Sequence, residues 1–146
     1  MSPDMQFLHL QDLWQRIQKN LETEAAEQFL SLLLKLMRLM FVFNPEYREN
    51  IRKFDGRYQF NSKDGKLTVG AIFKDGRLDV AQETIDNPHV TVSFRDGRTL
   101  FNFLLAPKQD ILGSMLRQDI HTDGNLNYIY RFGFLAKRLQ LMMTPG

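Results

Sequence analysis

The sequence predicts an α+β domain: an antiparallel or mixed sheet of five strands with helices gathered over it. Three observations carry this expectation. Apolar residues recur at helical spacing near both ends of the chain and alternate at every second position in the middle. Asp-Gly pairs stand between the alternating runs, where hairpin turns need a residue tolerant of positive φ. The strand-like runs are consecutive rather than interleaved with helices, which separates this class from parallel α/β folds.

Two helices open the chain. Ser2, Pro3 and Asp4 form a start signal: a hydroxyl cap, proline at the first helical position, an acid in the first turn. Leu10, Trp14, Ile17 and Leu21 follow as one apolar stripe. Asn20 or Thr23 caps a second helix, whose stripe is Leu30, Leu33, Leu34, Met37, Met40 and Phe41. It ends near Asn44-Pro45, because a residue before proline is pushed out of the helical region. The period then falls to two. Tyr58 and Phe60, then Leu67, Val69, Ala71 and Phe73, then Leu78 and Val80, then Val90, Val92 and Phe94 mark strands with one apolar face. Asp64-Gly65 and Asp75-Gly76 make the first three a meander, and Asn87-Pro88 turns the chain into the fourth. Residues 98–105 and 109–117 read as short helices and 119–122 as a short fifth strand. After Asp123-Gly124 a last helix covers 125–143.

The chain has 146 residues and no cysteine. That length suits one domain, 1–146, which buries roughly 70% of its unfolded surface. Residues 1–45 read as an N-terminal helical extension, and 46–146 as the sheet and closing helices. Disulfides, zinc–thiolate sites and catalytic thiols are excluded. Nineteen Lys and Arg against 17 Asp and Glu leave a net charge of +2, which argues against a nucleic-acid partner. The most apolar run, residues 29–43, contains Lys35 and Arg38 and is shorter than the ~20 residues a spanning helix needs. The N-terminus has no secretory pattern, so a cytoplasmic location is expected.

Several helices carry more apolar surface than one stripe requires. Leu100, Phe101, Phe103, Leu104 and Leu105 cannot all face one way, nor can Ile129, Tyr130, Phe134, Leu141 and Met143 join the stripe of Tyr128, Phe132, Leu135, Leu139 and Met142. A helix apolar on most sides is fully buried or faces something apolar from outside its own chain. An ordinary core, a dimer seam and a pocket for an apolar ligand all satisfy this.

The meander from Tyr58 to Val80, the strand NPHVTVSF, a helix with Leu100, Phe103 and Leu104, the helix DILGSMLRQ and the junction DIHTDGNLNYIYRF follow in an order that resembles the sterol carrier protein type 2 family of lipid-binding domains. The likeness runs from Tyr58 to Leu139. This chain departs from the family at Ala106 and Gln118, where glycines are usual, and at Thr122, where an apolar residue is usual. The N-terminal helix pair is an addition to the compact animal carriers. The resemblance implies a five-stranded sheet with helices enclosing an apolar tunnel for sterols, fatty acids, acyl chains or isoprenoids. It also implies a carrier rather than an enzyme, with no cofactor.

On that basis the tunnel lining is expected to be Phe94 from the fourth strand, Phe101, Leu104 and Leu105 from the next helix, Leu112, Met115 and Leu116 from the one after, and Ile129 and Phe132 from the last. Transient membrane contact is expected at Lys137, Arg138, Leu139 and Met142, where basic groups meet an apolar edge. The alternative is an interaction module that dimerises through Leu30, Leu33, Leu34, Met37 and Met40 around a closed cavity. Asp119, His121 and Asp123 alternate on the short fifth strand and are the one place for acid–base or metal chemistry, though two-residue spacing in a polar strand is common; the bland reading is a charged sheet edge. His9 and His89 read as surface residues. No nucleophile elbow, phosphate loop or zinc helix is present, and no metal site is expected.

Overall fold

The computed structural model describes residues 10–17, 28–105, 113, 117 and 120–143; of Gly97, Phe101 and Leu105 it describes the backbone alone. Helix α1 covers 10–17, α2 Phe29–Phe43 and α3 Pro45–Glu49. Strands β1 (Gly56–Ser62), β2 (Thr68–Lys74), β3 (Arg77–Ala81) and β4 (Val90–Phe94) follow, then α4 (Gly97–Leu105), β5 (Ile120–Gly124) and α5 (Leu126–Met143). The α+β class and the five strands agree with the sequence expectation. Leu21 and most of the expected helix 109–117 lie outside the described residues; Gly113 is helical and Arg117 lies in a turn.

The sheet order is β3-β2-β1-β4-β5. The three hairpin-linked strands form the expected antiparallel meander. The fourth does not continue beside β3. It crosses to the far side of β1 and pairs with it in parallel, Tyr58 opposite Val90 and Phe60 opposite Val92. Strand β5 then pairs antiparallel with β4, ending two residues later than its predicted end at Thr122. Val90, Val92 and Phe94 are fully buried, and the inner position gives their strand a partner on both edges.

This register puts Tyr58, Phe60, Val69, Ala71, Phe73, Leu78, Val90, Val92, Phe94 and Ile120 on one buried face, beneath the helices. On the opposite face Gln59 stands across from Gly70. The connection from β3 to β4 lays Ile85 over Gly70, where a Cβ would collide with it. Gln59 secures that crossing: its Oε1 accepts from the Ile85 N–H at 2.8 Å, and its Nε2 donates to the Val69 carbonyl at 3.3 Å and to Asn61 Oδ1 at 3.1 Å.

The two Asp-Gly turns differ. Asp75 and Gly76 both take positive φ, 55° and 71°, the geometry of a tight hairpin. The loop at Asp64 is wider and is tied by side chains. Ser62 Oγ donates to Asp64 Oδ1 at 2.6 Å, and the Lys66 N–H donates to the same oxygen at 3.0 Å. These two bonds, Ser62 first, hold the Asp64 carboxyl below its ordinary range.

Helix α3 was not anticipated. Asn44-Pro45 ends α2 as predicted, but it also starts a new helix. The Asn44 N–H bonds the Met40 carbonyl at 2.9 Å, while its side chain accepts from the Tyr47 N–H at 2.9 Å and Pro45 takes the first turn. The helix delivers Tyr47 into the core. Its ring stacks on Phe41 with centroids 4.6 Å apart, and its hydroxyl donates to the Leu135 carbonyl of α5 at 2.8 Å.

Candidate functional site

The space between sheet and α5 divides into two regions. Near β1 and β2 it is filled by aromatic rings. Phe132 of α5 lies 5.1 Å from Phe60, 5.3 Å from Tyr58 and 6.4 Å from Phe73, centroid to centroid. Phe41 meets Phe73 edge-on at 6.1 Å, and Phe54 reaches both Phe73 and Tyr128. Such offset and edge-to-face pairs lock their rings in place. Burial pushes the Tyr47 and Tyr58 phenols far above their ordinary range; for Tyr58, Arg131 works against the shift and Tyr128 with it. The second region lies toward β4 and β5. There Phe94 sits opposite Ile120, both facing inward, and α4 adds Leu100, Phe103 and Leu104, all buried.

The expected lining residues distribute across these regions. Phe94, Leu104, Ile129 and Phe132 are each at most 2% exposed. Phe132 belongs to the ring cluster, where it meets Tyr58 and Phe60. Phe101 and Leu105 are on α4, with side chains outside the description, and Leu112, Met115 and Leu116 lie outside the described residues. Three clefts lined by described residues are partly open to solvent: about 520 Å³ around Arg48, Arg52 and Asp75, about 480 Å³ around Arg38, Val42 and Arg77, and about 190 Å³ around Phe54 and Tyr128; none of these three is the expected enclosed tunnel.

The polar groups near the second region serve the fold. Asp96 caps α4, accepting from the Thr99 N–H at 2.8 Å and from Thr99 Oγ at 2.7 Å. Partial burial disfavours the Asp96 charge, but the Thr99 bonds and neighbouring Arg95 outweigh it and hold the carboxyl below its ordinary range.

The membrane-contact residues do not share an exposed edge. Leu139 is fully buried, because it falls in the inward series Phe132, Leu135, Leu139 and Met143. Met142 and Lys137 are half-buried, and Arg138 is exposed, 3.9 Å from Glu46. The stripe expected to pair two copies is likewise occupied: Leu30, Leu33, Leu34, Met37 and Met40 are buried within the single chain. His121 and Asp123 are exposed on β5, opposite Ser93 and Thr91, and Asp119 lies outside the described residues. Among the described residues no three His, Cys, Asp or Glu side chains gather as a metal site.

His89 was underestimated as a surface residue. Its Nδ1 accepts the Arg57 N–H at 2.9 Å, its ring stacks on Tyr128 at 4.3 Å, and its carbonyl accepts from Asn125 at 3.1 Å. Gly124 leaves room for it, since a Cβ there would strike the His89 carbonyl. Its place next to Asn87-Pro88 and far from Gly124 in sequence gave no periodic signal for this contact.

Comparison with solved structures decides the fold. The UbiJ-SCP2 ubiquinone synthesis protein is 16% identical, with a TM-score of 0.56 over 88% of this chain and 97% of that one. The sterol carrier protein domain 2 of Helicoverpa armigera is 17% identical, with a TM-score of 0.55 over 77% of this chain and 87% of that one. The chain has a sterol-carrier-protein-2-like fold. At these identities the likeness is one of fold. Part of the sec-alkylsulfatase Pisa1 of Pseudomonas sp. also matches, at 16% identity and a TM-score of 0.53, over 67% of this chain; the chain spans only 16% of that enzyme's length. No family model matches the sequence, and no curated protein does.

Proposed function

We propose that this chain binds a lipid by its apolar tail, between the β4–β5 end of the sheet and the helices over it, and carries it to an enzyme or a membrane. The observation that carries the reading is the SCP2-like fold, shared over nearly the whole length of proteins named for sterol carriage and ubiquinone synthesis. The ligand class is a sterol, fatty acid, acyl chain or isoprenoid. The proposal leaves out sulfatase chemistry, because the match covers a small part of the alkylsulfatase.

The ring cluster under β1 and β2 leaves the other end as the place for a tail, with Phe94, Leu104 and Ile129 on its wall. Burying apolar area is worth about 25 cal/mol per Å², or about 0.8 kcal/mol per methylene. Roughly ten methylenes give about 8 kcal/mol before ordering costs, enough for binding without a charged anchor.

Native mass spectrometry of gently purified protein tests this. A hydrophobic adduct that is lost on solvent extraction is the expected result; a bare chain that also takes up no added fatty acid or isoprenoid would sink the proposal. Leu104→Trp separates pocket from core. Beside a cavity the indole fills free space, so the fold survives and lipid uptake falls. In a close-packed site it costs about 1–3 kcal/mol of stability instead.

A further inference from the structure

Every large apolar side chain left exposed among the described residues lies on one of two helices. Val42 and Phe43 end α2, and Tyr130, Phe134 and Leu141 lie on α5. The α5 trio is spaced by four and seven residues, which keeps it on one outward stripe. The three side chains are 48%, 52% and 63% exposed, so each still presents about half its surface to water. Neither helix contains an acid; α2 carries Lys35 and Arg38, and α5 carries Arg131, Lys137 and Arg138. Arg131 is held in place by a 2.6 Å bond to the Asn50 carbonyl and lies 4.8 Å over the Phe54 ring. Arg138 reaches Glu46 of α3 at 3.9 Å across solvent, with both side chains exposed.

We infer that the Tyr130–Phe134–Leu141 stripe of α5 docks this protein on an anionic lipid bilayer. The inference rests on the lipid-carriage reading, since a carrier must meet a membrane to load or unload. An apolar stripe sinks below the headgroups while flanking cations meet lipid phosphates and carboxylates, and tyrosine suits the boundary because one end of its ring is polar. No helix among the described residues is long and apolar enough to span a bilayer, so the geometry is one of lying on the surface. A second copy is the poorer occupant. The same face in a two-fold contact would bring α5 cations against α5 cations, and three side chains fall short of the roughly 800 Å² per partner of a standard interface.

Flotation with vesicles of phosphatidylcholine alone, and of equimolar phosphatidylcholine and phosphatidylserine, tests this on the full chain. The protein is expected to float with the serine-containing vesicles and to lose that on adding salt. Phe134→Asp with Leu141→Asp should reduce binding at least tenfold, and Arg138→Gln roughly fivefold, each with an unchanged circular dichroism spectrum. Equal binding to both vesicles, or a Phe134→Asp/Leu141→Asp variant that floats like the parent, would overturn the inference. So would a concentration-dependent dimer that this double variant abolishes. Lipid uptake from detergent micelles, measured on the same variant, keeps the two claims apart: uptake without flotation of the variant supports docking by the stripe, whereas flotation of a parent that takes up no lipid removes carriage alone.

Discussion

Tyr47→Phe removes one buried hydroxyl and nothing else. The ring keeps its stack on Phe41, so packing is conserved, while the 2.8 Å bond to the Leu135 carbonyl is lost. That carbonyl sits mid-helix in α5 and keeps its place in the helical ladder, so the cost stays near the ordinary net value of about 1 kcal/mol, or about 4 °C in Tm for a chain of this size. The pH dependence sharpens the test. An unfolded tyrosine ionises near pH 10, whereas burial holds the Tyr47 and Tyr58 phenols protonated well above that. Their folded pKa values are raised, so the associated stability is complete below about pH 10 and is lost as pH rises beyond it, by about 1.4 kcal/mol per pH unit for each tyrosine. At about pH 11 the parent has lost about 3 kcal/mol through this pair and the variant about half of that. The variant's deficit therefore closes between about pH 7 and pH 11. Urea denaturation at the two pH values measures it. A deficit that is the same at both, or a Tyr47 phenolate signal appearing near pH 10 in the folded protein, would refute the reasoning.

Other outcomes follow from the same structure. Gly70→Val drives a side chain into Ile85 and should cost about 1–3 kcal/mol, with Ile85→Ala in the same chain recovering part of it in a double-mutant cycle. Asp96→Ala removes the cap of α4 and should cost about 1 kcal/mol near neutral pH. Because the folded Asp96 carboxyl titrates below its ordinary range, its contribution is present above the unfolded carboxylate pKa and is lost as pH falls through the folded value, so the parent and Asp96→Ala should converge in acid denaturation.

Local signals in the sequence reached far into the fold. Alternation placed Tyr58, Phe60, Val69, Phe73, Val90, Val92 and Phe94 on one buried face, and Asp75-Gly76 marked a real hairpin. The site was less legible. Phe94, Leu104 and Ile129, expected to line a tunnel, are buried, but the ring cluster that includes Phe132 joins residues from α2, β1, β2 and α5, and no window of sequence contains all four.

What the sequence determined alone is whatever depends on neighbours along the chain: the periods of 3.6 and two, the proline stop at Asn44-Pro45, the turns at Asp-Gly pairs, and an acid-free last helix. Tertiary structure decided which surfaces meet. It set β4 beside β1, turned Leu139 inward while leaving Phe134 and Leu141 in water, and closed Ile85 over Gly70. Backbone geometry repeats every few residues and is written locally, whereas burial is a competition among distant apolar faces for the same space, and only the folded chain records which face prevails.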